Sequence, residues 1–272
     1  MGLAGRAVVV TGAAGGLGAQ IAAAVHRRGA RLVLVDVAAE PLLALQRRLA
    51  CEAVVADIAE SNGRALVVSA CEDLGRAPDI LINNAGTERA TEFAQLSPAE
   101  IRHALDVNLL GAMLLTHALL PAMRQQHSGH VITMASMAAI KPVPFNAVYN
   151  TAKAGLVAFS LSLSKELEGS GVDATVICPS AVSQVGMWAR ASPGLSGNRL
   201  VDSSTVPPAA VVDGVLRAIA RRPRRVLVGS RLVRAGALLS GLSTSVDTAT
   251  DRLSGIQDVY RERIRTDRGN AL

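Results

Sequence analysis

Tyr149 and Lys153 lie four positions apart in the segment Y-N-T-A-K, a spacing that places both side chains on one face of a helix. An unperturbed tyrosine has a pKa of about 10, so a phenol alone is a poor base at neutral pH. A positive charge beside the phenol favours the phenolate and lowers that pKa, so such a pair can exchange a proton with an alcohol oxygen. Ser136 follows the apolar run V-I-T-M-A, and its hydroxyl can donate to the same oxygen. The spacing alone is equally typical of ordinary helix-surface residues, so its meaning depends on the rest of the chain.

A glycine-rich segment, T-G-A-A-G-G-L-G at residues 11–18, follows a short β-branched run and precedes a predicted helix. Gly12 allows a sharp turn, Gly16 lets the backbone approach a ligand closely, and Gly18 lets the helix pack on the strand. The first N–H groups of the helix, around Leu17, then face a pyrophosphate with the positive end of the helix dipole. We therefore predict a dinucleotide site, although the spacing differs from the usual G-x-G-x-x-G.

Two aspartates follow the next predicted strands. Asp36 comes after the strand at 31–35, where a carboxylate accepts hydrogen bonds from ribose hydroxyls and repels a 2′-phosphate. Residues 13–17 contain no Lys or Arg to attract such a phosphate, which favours NAD over NADP. Asp57, next to Ile58, follows the third strand and either contacts the adenine amino group or caps the next helix. We favour the contact with the cofactor.

A fourth predicted strand runs into the segment N-N-A-G at residues 83–86. At the carboxyl end of a strand, Asn84, Ala85 and Gly86 can satisfy exposed backbone and approach a ligand, or they can form a plain turn. We expect these three residues to contact the cofactor.

The capping box S-P-A-E at 97–100 predicts a helix that runs to about Met123. Asn108 lies within it among apolar neighbours, where Asn is unfavourable. Because a buried Asn needs hydrogen-bond partners, we expect Asn108 to hold a water molecule or local backbone beside the site.

The elements that position these residues are strands alternating with helices, a pattern that predicts one doubly wound α/β domain with a seven-stranded, mostly parallel sheet. The predicted strands are 7–10, 31–35, 53–55, 79–82, 131–135, 174–178 and 225–228. Half of the 272 residues are apolar, which is enough for a full core. The three cysteines have no metal-type spacing, so we expect no metal. We expect a cytoplasmic, non-spanning protein because the chain shows no signal pattern and no uncharged apolar run of membrane length.

We divide the chain into a catalytic domain, residues 1–230, and a basic C-terminal tail, residues 231–272. The whole net charge of +6 falls on residues 221–272, which carry 11 Arg against 5 Asp or Glu. Apolar residues recur in the tail at steps of three and four, which predicts an amphipathic helix or a broken pair of helices. This stripe comprises Leu232, Ala235, Leu239, Leu242, Val246, Ala249, Leu253, Ile256 and Tyr260.

Three interpretations of the tail remain open. The stripe packs on its own domain or a sister subunit, lies on an anionic membrane surface, or binds another protein. We do not expect a nucleic-acid partner, because the tail has one aromatic residue and no known binding module. Our hypothesis is that the tail extends the substrate entrance and meets a lipophilic substrate near a membrane.

Taken together, these segments resemble the short-chain dehydrogenase/reductase family. The matching positions span residues 6 to about 180, and they are jointly specific although each motif alone is weak. The resemblance implies that Tyr149 is the catalytic acid/base and that Ser136 orients the substrate oxygen. It also implies that Lys153 holds the nicotinamide ribose and lowers the Tyr149 pKa, and that Asn108 supports a water-linked proton path.

One segment departs from the family pattern. After the sixth strand the family usually shows Pro-Gly-x-Val-x-Thr, whereas this chain reads P-S-A-V-S-Q from Pro179. Ser180 replaces the Gly, and Gln184 replaces the Thr that in relatives contacts the nicotinamide carboxamide. Either Gln184 or Ser183 could take over that contact. We retain Pro179 and Val182 as predicted cofactor contacts.

The stretch at about 185–208 is rich in Ser, Gly and Pro, and by the resemblance it is a mobile substrate lid. With Ser136 and Tyr149, apolar residues of the lid and of the preceding segment would form the substrate pocket. They are Met137, Ile140, Val143, Phe145, Met187 and Trp188. We therefore expect a hydrophobic alcohol or ketone, such as a steroid or an alicyclic or fatty-chain carbonyl. In the alternative, these residues pack the lid on itself.

The sequence thus predicts an NAD-dependent oxidoreductase that interconverts a hydrophobic secondary alcohol and a ketone by hydride transfer. The alternatives are an NADP-dependent ketoreductase and a non-catalytic NAD-binding sensor on the same fold. The resemblance also implies a homodimer or homotetramer, formed through the helices at about 98–123 and 147–168.

Overall fold

Seven parallel strands form one sheet in the computed structural model, which describes residues 2–191, 204–240, 245, 248, 251–252 and 255–269. The strands are β1 Ala7–Thr11, β2 Arg31–Asp36, β3 Glu52–Val55, β4 Ile80–Asn83, β5 Gly129–Met134, β6 Val172–Pro179 and β7 Arg225–Val228. Their order is β3-β2-β1-β4-β5-β6-β7, and every pairing between them is parallel. The predicted doubly wound sheet is confirmed. The chain reverses its direction of winding between β1 and β4, which is where open α/β sheets bind ligands.

Ten α-helices lie in the described part of the chain. They are α1 Gly16–His26, α2 Ala39–Leu49, α3 Ser61–Glu72, α4 Pro98–Leu105, α5 Gly111–Gln125, α6 Ala147–Glu166, α7 Gly186–Ala191, α8 Pro208–Arg221, α9 Arg231–Ser240 and α10 Ile256–Gly269. A π-helical turn, Asp106–Leu110, joins α4 to α5. Ser97 and Glu100 form the predicted capping box at the start of α4.

The strands are buried on both faces, which explains why they appear in the sequence as continuous apolar runs. On β1, Val8 and Val10 point to one face and belong to the same core cluster as Ile21 of α1 and Val215 of α8. Val9 points to the other face, where its cluster includes residues of α3 and α5. This two-sided core fixes the carboxyl ends of the strands and therefore the loops that follow them.

The continuous helix at Pro98–Gln125 is the one described segment that is long and apolar enough to cross a membrane. Length and composition are weak evidence for a span, because a core helix of a soluble protein passes the same test. In this structure Leu115, Leu119 and Met123 of α5 are buried against the sheet core.

The C-terminal tail packs on its own domain through α10, whose Val259, Tyr260 and Ile264 are buried in one cluster with Ala90. On α9 the stripe residues Leu232, Ala235 and Leu239 are exposed, whereas Ala237 is buried, so this part of the stripe does not pack on its own domain in the described structure. The stripe positions Leu242, Val246, Ala249 and Leu253, like lid residues 192–203, lie outside the described residues.

Candidate active site

A cavity of about 800 Å³ runs along the carboxyl ends of β1, β2, β4, β5 and β6. Most of the predicted site residues line it together, although they come from distant parts of the sequence. These residues are Gly12, Gly16, Leu17, Gly18, Asp36, Asn84, Ala85, Gly86, Ser136, Met137, Tyr149, Lys153, Pro179, Val182, Met187 and Trp188.

The glycine loop leaves the cavity open above the start of α1. Gly12 has a φ of +64°, and a Cβ on Gly18 would lie 2.0 Å from the Gly12 carbonyl oxygen. A Cβ on Gly16 would lie 2.8 Å from the Cβ of Val185, so the close approach there includes the segment after β6. The first turn of α1 contains no acidic residue, so its free N–H groups suit an anion. These features fit the pyrophosphate of a dinucleotide.

Asp36 is fixed at one end of the cavity by two backbone hydrogen bonds. Its Oδ2 accepts from the Ala14 N–H at 2.9 Å, and its Oδ1 accepts from the Ala38 N–H at 3.0 Å. The carboxylate therefore holds a defined orientation beside the glycine loop, as the ribose prediction requires.

Asp57 and Ile58 do not line the cavity in this structure. Asp57 Oδ1 accepts a hydrogen bond from the Ala59 N–H at 2.9 Å, so its carboxylate stabilises the turn before α3. Ile58 is buried, and its side chain packs closely against Gly111: a Cβ on Gly111 would lie 3.0 Å from Ile58 Cγ1. Because Asp57 is hydrogen-bonded within the turn and Ile58 is packed in the core, their contact with the adenine stays a prediction.

Thr11 links the glycine loop to the segment after β4, a role that no sequence motif predicted. Its Oγ1 accepts from the N–H groups of Asn84 and Ala85, both at 3.0 Å. Asn84 Nδ2 donates to the carbonyl oxygens of Thr11 at 3.0 Å and Gly12 at 3.1 Å. These bonds hold two of the predicted cofactor-binding loops as one unit.

Asn108 lies behind the cavity wall rather than in it. It occupies the π-helical turn, where its Nδ2 donates to the carbonyl oxygens of Thr87 and Ala104 at 2.9 Å and its Oδ1 accepts from the Thr87 N–H at 3.1 Å. A Cβ on Gly86 would lie 2.8 Å from Asn108 Oδ1 and 3.4 Å from Lys153 Nζ. Asn108 therefore holds local backbone, one of the two predicted roles, and its part in a proton path stays a prediction.

Ser136, Tyr149 and Lys153 come together where β5 ends and α6 begins. The Ser136 side chain acts on the Tyr149 hydroxyl and lowers its pKa, and Ser136 Oγ accepts from the Ala138 N–H at 3.1 Å. Lys153 Nζ donates to the Met134 carbonyl oxygen at 3.1 Å and lies 5.6 Å from the centre of the Tyr149 ring. One phenol, one hydroxyl and one amine therefore face the same end of the cavity.

Burial controls the protonation of this group. Burial raises the pKa of Tyr149 well above its ordinary value, and the Glu88 carboxylate raises it further, whereas the hydrogen bond to Ser136 lowers it. Burial lowers the pKa of Lys153 to about 8, against the opposing effects of Glu88 and Cys178. In the protein on its own, burial of the phenol outweighs the effects that lower its pKa, so the net pKa of Tyr149 is raised, and the lowering by Lys153 stays a prediction.

The comparison with known proteins agrees with this geometry. The family described as short chain dehydrogenase matches residues 6–195. This range includes the glycine loop and Asp36, and it also includes Ser136, Tyr149 and Lys153. The chain belongs to the short-chain dehydrogenase/reductase family. As a member of this family, it is an oxidoreductase that acts on CH–OH groups with NAD(P).

Two curated relatives illustrate the range of this dehydrogenase family. The ketoacyl reductase HetN of Nostoc sp. is 34% identical over 276 residues, which cover 96% of this chain and 93% of the relative. The 2-dehydro-3-deoxy-L-rhamnonate dehydrogenase (NAD(+)) of Sphingomonas sp. is 35% identical over 181 residues, which cover 65% of this chain and 72% of the relative.

Two solved structures show the same dehydrogenase fold. L-Sorbose reductase from Gluconobacter frateurii, complexed with NADPH and L-sorbose, has a TM-score of 0.75 at 24% identity, with 84% of this chain and 97% of that chain covered. 4-Hydroxyisoleucine dehydrogenase complexed with NADH also has a TM-score of 0.75, at 18% identity, with 82% and 97% covered.

On the substrate side of this dehydrogenase, Met137, Val143, Met187 and Trp188 line the cavity as predicted. Phe145 does not line it, because its side chain packs in the cluster formed with α10. The expectation that Phe145 contacts substrate is therefore not supported by its position in the described structure.

Neither proposed substitute for the family's Thr reaches the cavity of this dehydrogenase. Gln184 is exposed with a φ of +67°. The Ser183 hydroxyl donates to the Val206 carbonyl oxygen at 3.3 Å. Pro179, Ser180 and Val182 line the cavity instead. The segment after β6 therefore presents a serine where the family usually has a glycine.

Several cavity residues of this dehydrogenase belong to no motif in the sequence. Glu88 lines the cavity, and Asp251 and Tyr260 bring the C-terminal tail to it. Asp251 Oδ1 lies 2.8 Å from Lys141 Nζ. The apolar periodicity of the tail included Tyr260. Glu88 and Asp251, in contrast, lie among polar residues in the sequence, so no local pattern distinguishes them from solvent-exposed residues.

Proposed function

We propose that this protein interconverts a hydrophobic secondary alcohol and its ketone, with NAD as cofactor. The observation that carries the proposal is the single cavity that joins Asp36 and the glycine loop to an apolar region beyond Tyr149. Met137, Met187 and Trp188 give that region its apolar character, which suits an alkyl or alicyclic substrate better than a sugar.

The proposed chemistry assigns the hydride to the cofactor and the proton to the protein. When bound, the nicotinamide accepts a hydride from the alcohol carbon or returns one to the carbonyl carbon. Tyr149 passes the proton to or from the substrate oxygen, and Ser136 donates a hydrogen bond to that oxygen. Because burial raises the pKa of Tyr149, the phenol carries at neutral pH the proton that ketone reduction consumes. Lys153 would hold the nicotinamide ribose.

The choice of NAD rests on charge. Asp36 places a carboxylate at the end of the cavity beside the glycine loop, where it would accept hydrogen bonds from ribose hydroxyls and repel a 2′-phosphate. Among the described lining residues the cations are Lys141 and Lys153, and neither follows β2 or lies in the glycine loop. A phosphate there would have no positive partner from those segments.

A second candidate is the NADP-dependent reduction of a ketoacyl substrate. The ketoacyl substrate is favoured by the relative HetN, a ketoacyl reductase that aligns over 96% of this chain. A ketoacyl group is itself a ketone on an apolar chain, so both candidates fit the same apolar region. They differ in the cofactor and in the thioester that would follow the carbonyl.

A cofactor-fluorescence assay separates these candidates from a non-catalytic sensor. The full chain is given NADH or NADPH with a panel of lipophilic ketones and a ketoacyl thioester, and oxidation of the cofactor is followed. Turnover of apolar ketones with NADH supports the proposal, whereas preference for NADPH and the thioester supports the second candidate. NADH binding without turnover of any ketone or alcohol would mean a sensor.

We also propose that the protein is cytoplasmic and forms a homodimer or homotetramer through α4, α5 and α6. Leu110 and Leu114 support the assembly, because both are exposed apolar residues on the helix that would join two subunits. Light scattering on the purified protein tests the assembly, and a monomer at all concentrations would contradict it.

Peripheral contact with an anionic membrane is a further part of the proposal. Leu232, Leu238 and Leu239 are exposed on α9, whose sequence also contains Arg231 and Arg234. Sedimentation with anionic vesicles should fall when Leu232 and Leu239 are replaced by Ser, and equal sedimentation of both proteins would contradict the contact.

A further inference from the structure

Arg263 is a buried cation that ties the end of the chain to the substrate side of the cavity. It lies in α10, 175 positions after Glu88, yet its Nη1 is 2.9 Å from Glu88 Oε1. The Arg263 side chain is 1% exposed and that of Glu88 is 9% exposed. Two charges that are both removed from water depend on each other, because either one alone would be left without compensation.

The same guanidinium also contacts the aromatic residues of the cavity wall. Its central carbon lies 5.1 Å from the ring centre of Trp188 and 5.4 Å from that of Tyr260. The two rings are 5.9 Å apart, and both line the cavity. Arg263 therefore connects α10 with α7, which begins the predicted lid.

Glu88, the partner of Arg263, contacts the start of α6, the helix that carries Tyr149. Glu88 Oε1 also accepts a hydrogen bond from Asn146 Nδ2 at 2.8 Å. Asn146 is the N-cap residue of α6, and its carbonyl oxygen accepts from the Asn150 N–H at 2.8 Å. Tyr149 lies in the first turn of the same helix. The carboxylate that Arg263 neutralises is thus attached to the helix start that carries the proposed acid/base.

We propose that Arg263 is a positioning residue for the reaction: by pairing with Glu88 it holds α10 and Trp188 over the substrate side of the cavity and neutralises the carboxylate beside Tyr149. This inference rests on the proposed function. The charges that act on Tyr149 agree with it, since Glu88 raises the pKa of Tyr149, as does Tyr260, whereas Arg263 lowers it. Lys153 Nζ lies 5.6 Å from the centre of the same ring.

The sign of each charge change follows from this arrangement. Loss of Arg263 leaves the Glu88 carboxylate uncompensated, so the phenolate is disfavoured and alcohol oxidation needs a higher pH. Loss of the Glu88 charge acts in the opposite direction. Loss of both charges leaves neither Glu88 nor Arg263 uncompensated, so the pH dependence returns towards that of the unmodified protein.

The experiment compares Arg263→Met with Arg261→Met, which makes the same substitution at an exposed position of the same helix, where Arg261 pairs with Asp258 at the surface. Arg263→Lys, Glu88→Gln and the double variant Glu88→Gln/Arg263→Met complete the set. Trp188 is the one tryptophan of the chain, so its fluorescence reports the docking of α10 without any need for turnover. The second readout is the pH profile of kcat/KM for alcohol oxidation.

We expect Arg263→Met to shift Trp188 emission to longer wavelength and to move the pH profile upward by about one unit. Arg263→Lys should recover part of both effects, and Arg261→Met should show neither. The double variant should move less in pH than Arg263→Met, and it keeps the test decisive if Arg263→Met fails to fold. An emission shift with an unchanged pH profile in both Arg263 variants would overturn the positioning role and leave a purely structural one.

Failure of the proposed function would look different. An unmodified protein without turnover of any alcohol or ketone overturns the proposed function and the positioning role with it, although Trp188 emission would still show whether Arg263 docks α10. An active unmodified protein whose pH profile is the same after Arg263→Met as after Arg261→Met overturns this inference alone.

Discussion

Lys153 Nζ lies 5.6 Å from the centre of the Tyr149 ring and donates a hydrogen bond to the Met134 carbonyl oxygen at the end of β5. Ser136, two residues further along the chain, acts on the Tyr149 hydroxyl and lowers its pKa. The contact between β5 and α6 therefore fixes all three groups at once. Their geometry depends on the packing of one strand end against one helix, so small changes in that packing would disturb all three groups.

Replacing Tyr149 by Phe should lower kcat/KM by a factor of about 10² to 10⁴, because the substitution removes the proton donor and little else. The dissociation constant for NADH should change little, since the ring and the Lys153 anchor remain. Steady-state kinetics and a fluorescence titration with NADH measure the two effects separately. Turnover within twofold of the unmodified enzyme would show that another group handles the proton.

Replacing Asp36 by Ala should weaken NADH binding more than NADPH binding, because the carboxylate that accepts from the ribose hydroxyls also repels a 2′-phosphate. The expected change in the ratio of the two dissociation constants is about tenfold or more. Titrations with both cofactors give that ratio. An equal loss for the two cofactors would mean that Asp36 only stabilises the loop through Ala14 and Ala38.

Replacing Gly18 by Ala should abolish cofactor binding, because the new Cβ would lie 2.0 Å from the Gly12 carbonyl oxygen and displace the glycine loop. Gly171→Ala is the matched control, since its Cβ would lie 2.1 Å from the His127 carbonyl oxygen and Gly171 does not line the cavity. Thermal unfolding with and without NADH measures the stability and the cofactor binding of each variant. Both variants should lose stability, but NADH should still raise the unfolding temperature of Gly171→Ala. An equal rise in Gly18→Ala would contradict the assignment of the loop.

Acid should destabilise the protein through His130, which is buried with its Nε2 2.8 Å from Thr175 Oγ1. Burial lowers the pKa of His130 to about 4, and Arg222 lowers it as well, against the smaller opposing effect of Asp173. Between the ordinary His pKa of about 6.5 and the lowered value the unfolded chain binds more protons, so stability is present above pH 6.5 and is lost as the pH falls towards 4.

His130→Gln should remove this part of the pH dependence, which is about 2 kcal/mol of unfolding free energy between pH 6.5 and pH 4.5. Urea unfolding at pH 6.5 and pH 4.5 measures it in both proteins, and the carboxylates common to both cancel in the comparison. Parallel losses of stability in the two proteins would show that His130 is not the group responsible.

The sequence determined the features whose causes are local or periodic. Buried parallel strands need continuous apolar runs, so all seven strands could be predicted, together with the helices that begin at the glycine loop and at the capping box. The Tyr149–Lys153 spacing and the glycine loop are equally local, because a helix turn and a strand–helix turn fix them within a few residues. The meeting of these segments at one cavity could also be predicted, since the carboxyl ends of parallel strands share one edge of the sheet.

Only the tertiary structure decided which side chains beyond those motifs reach the cavity. Glu88 and Arg263 are 175 positions apart, and each stands among polar residues that are typical of a solvated surface. Phe145 and Asp57 follow the expected pattern but are used by the core cluster and by a turn.

The proton affinity of Tyr149 was decided in the same way. The spacing to Lys153 predicted a lowered pKa, yet burial raises it. Burial, unlike a four-residue spacing, is the sum of contacts from β5, α6 and the C-terminal helix, so it exists only once those elements have packed together.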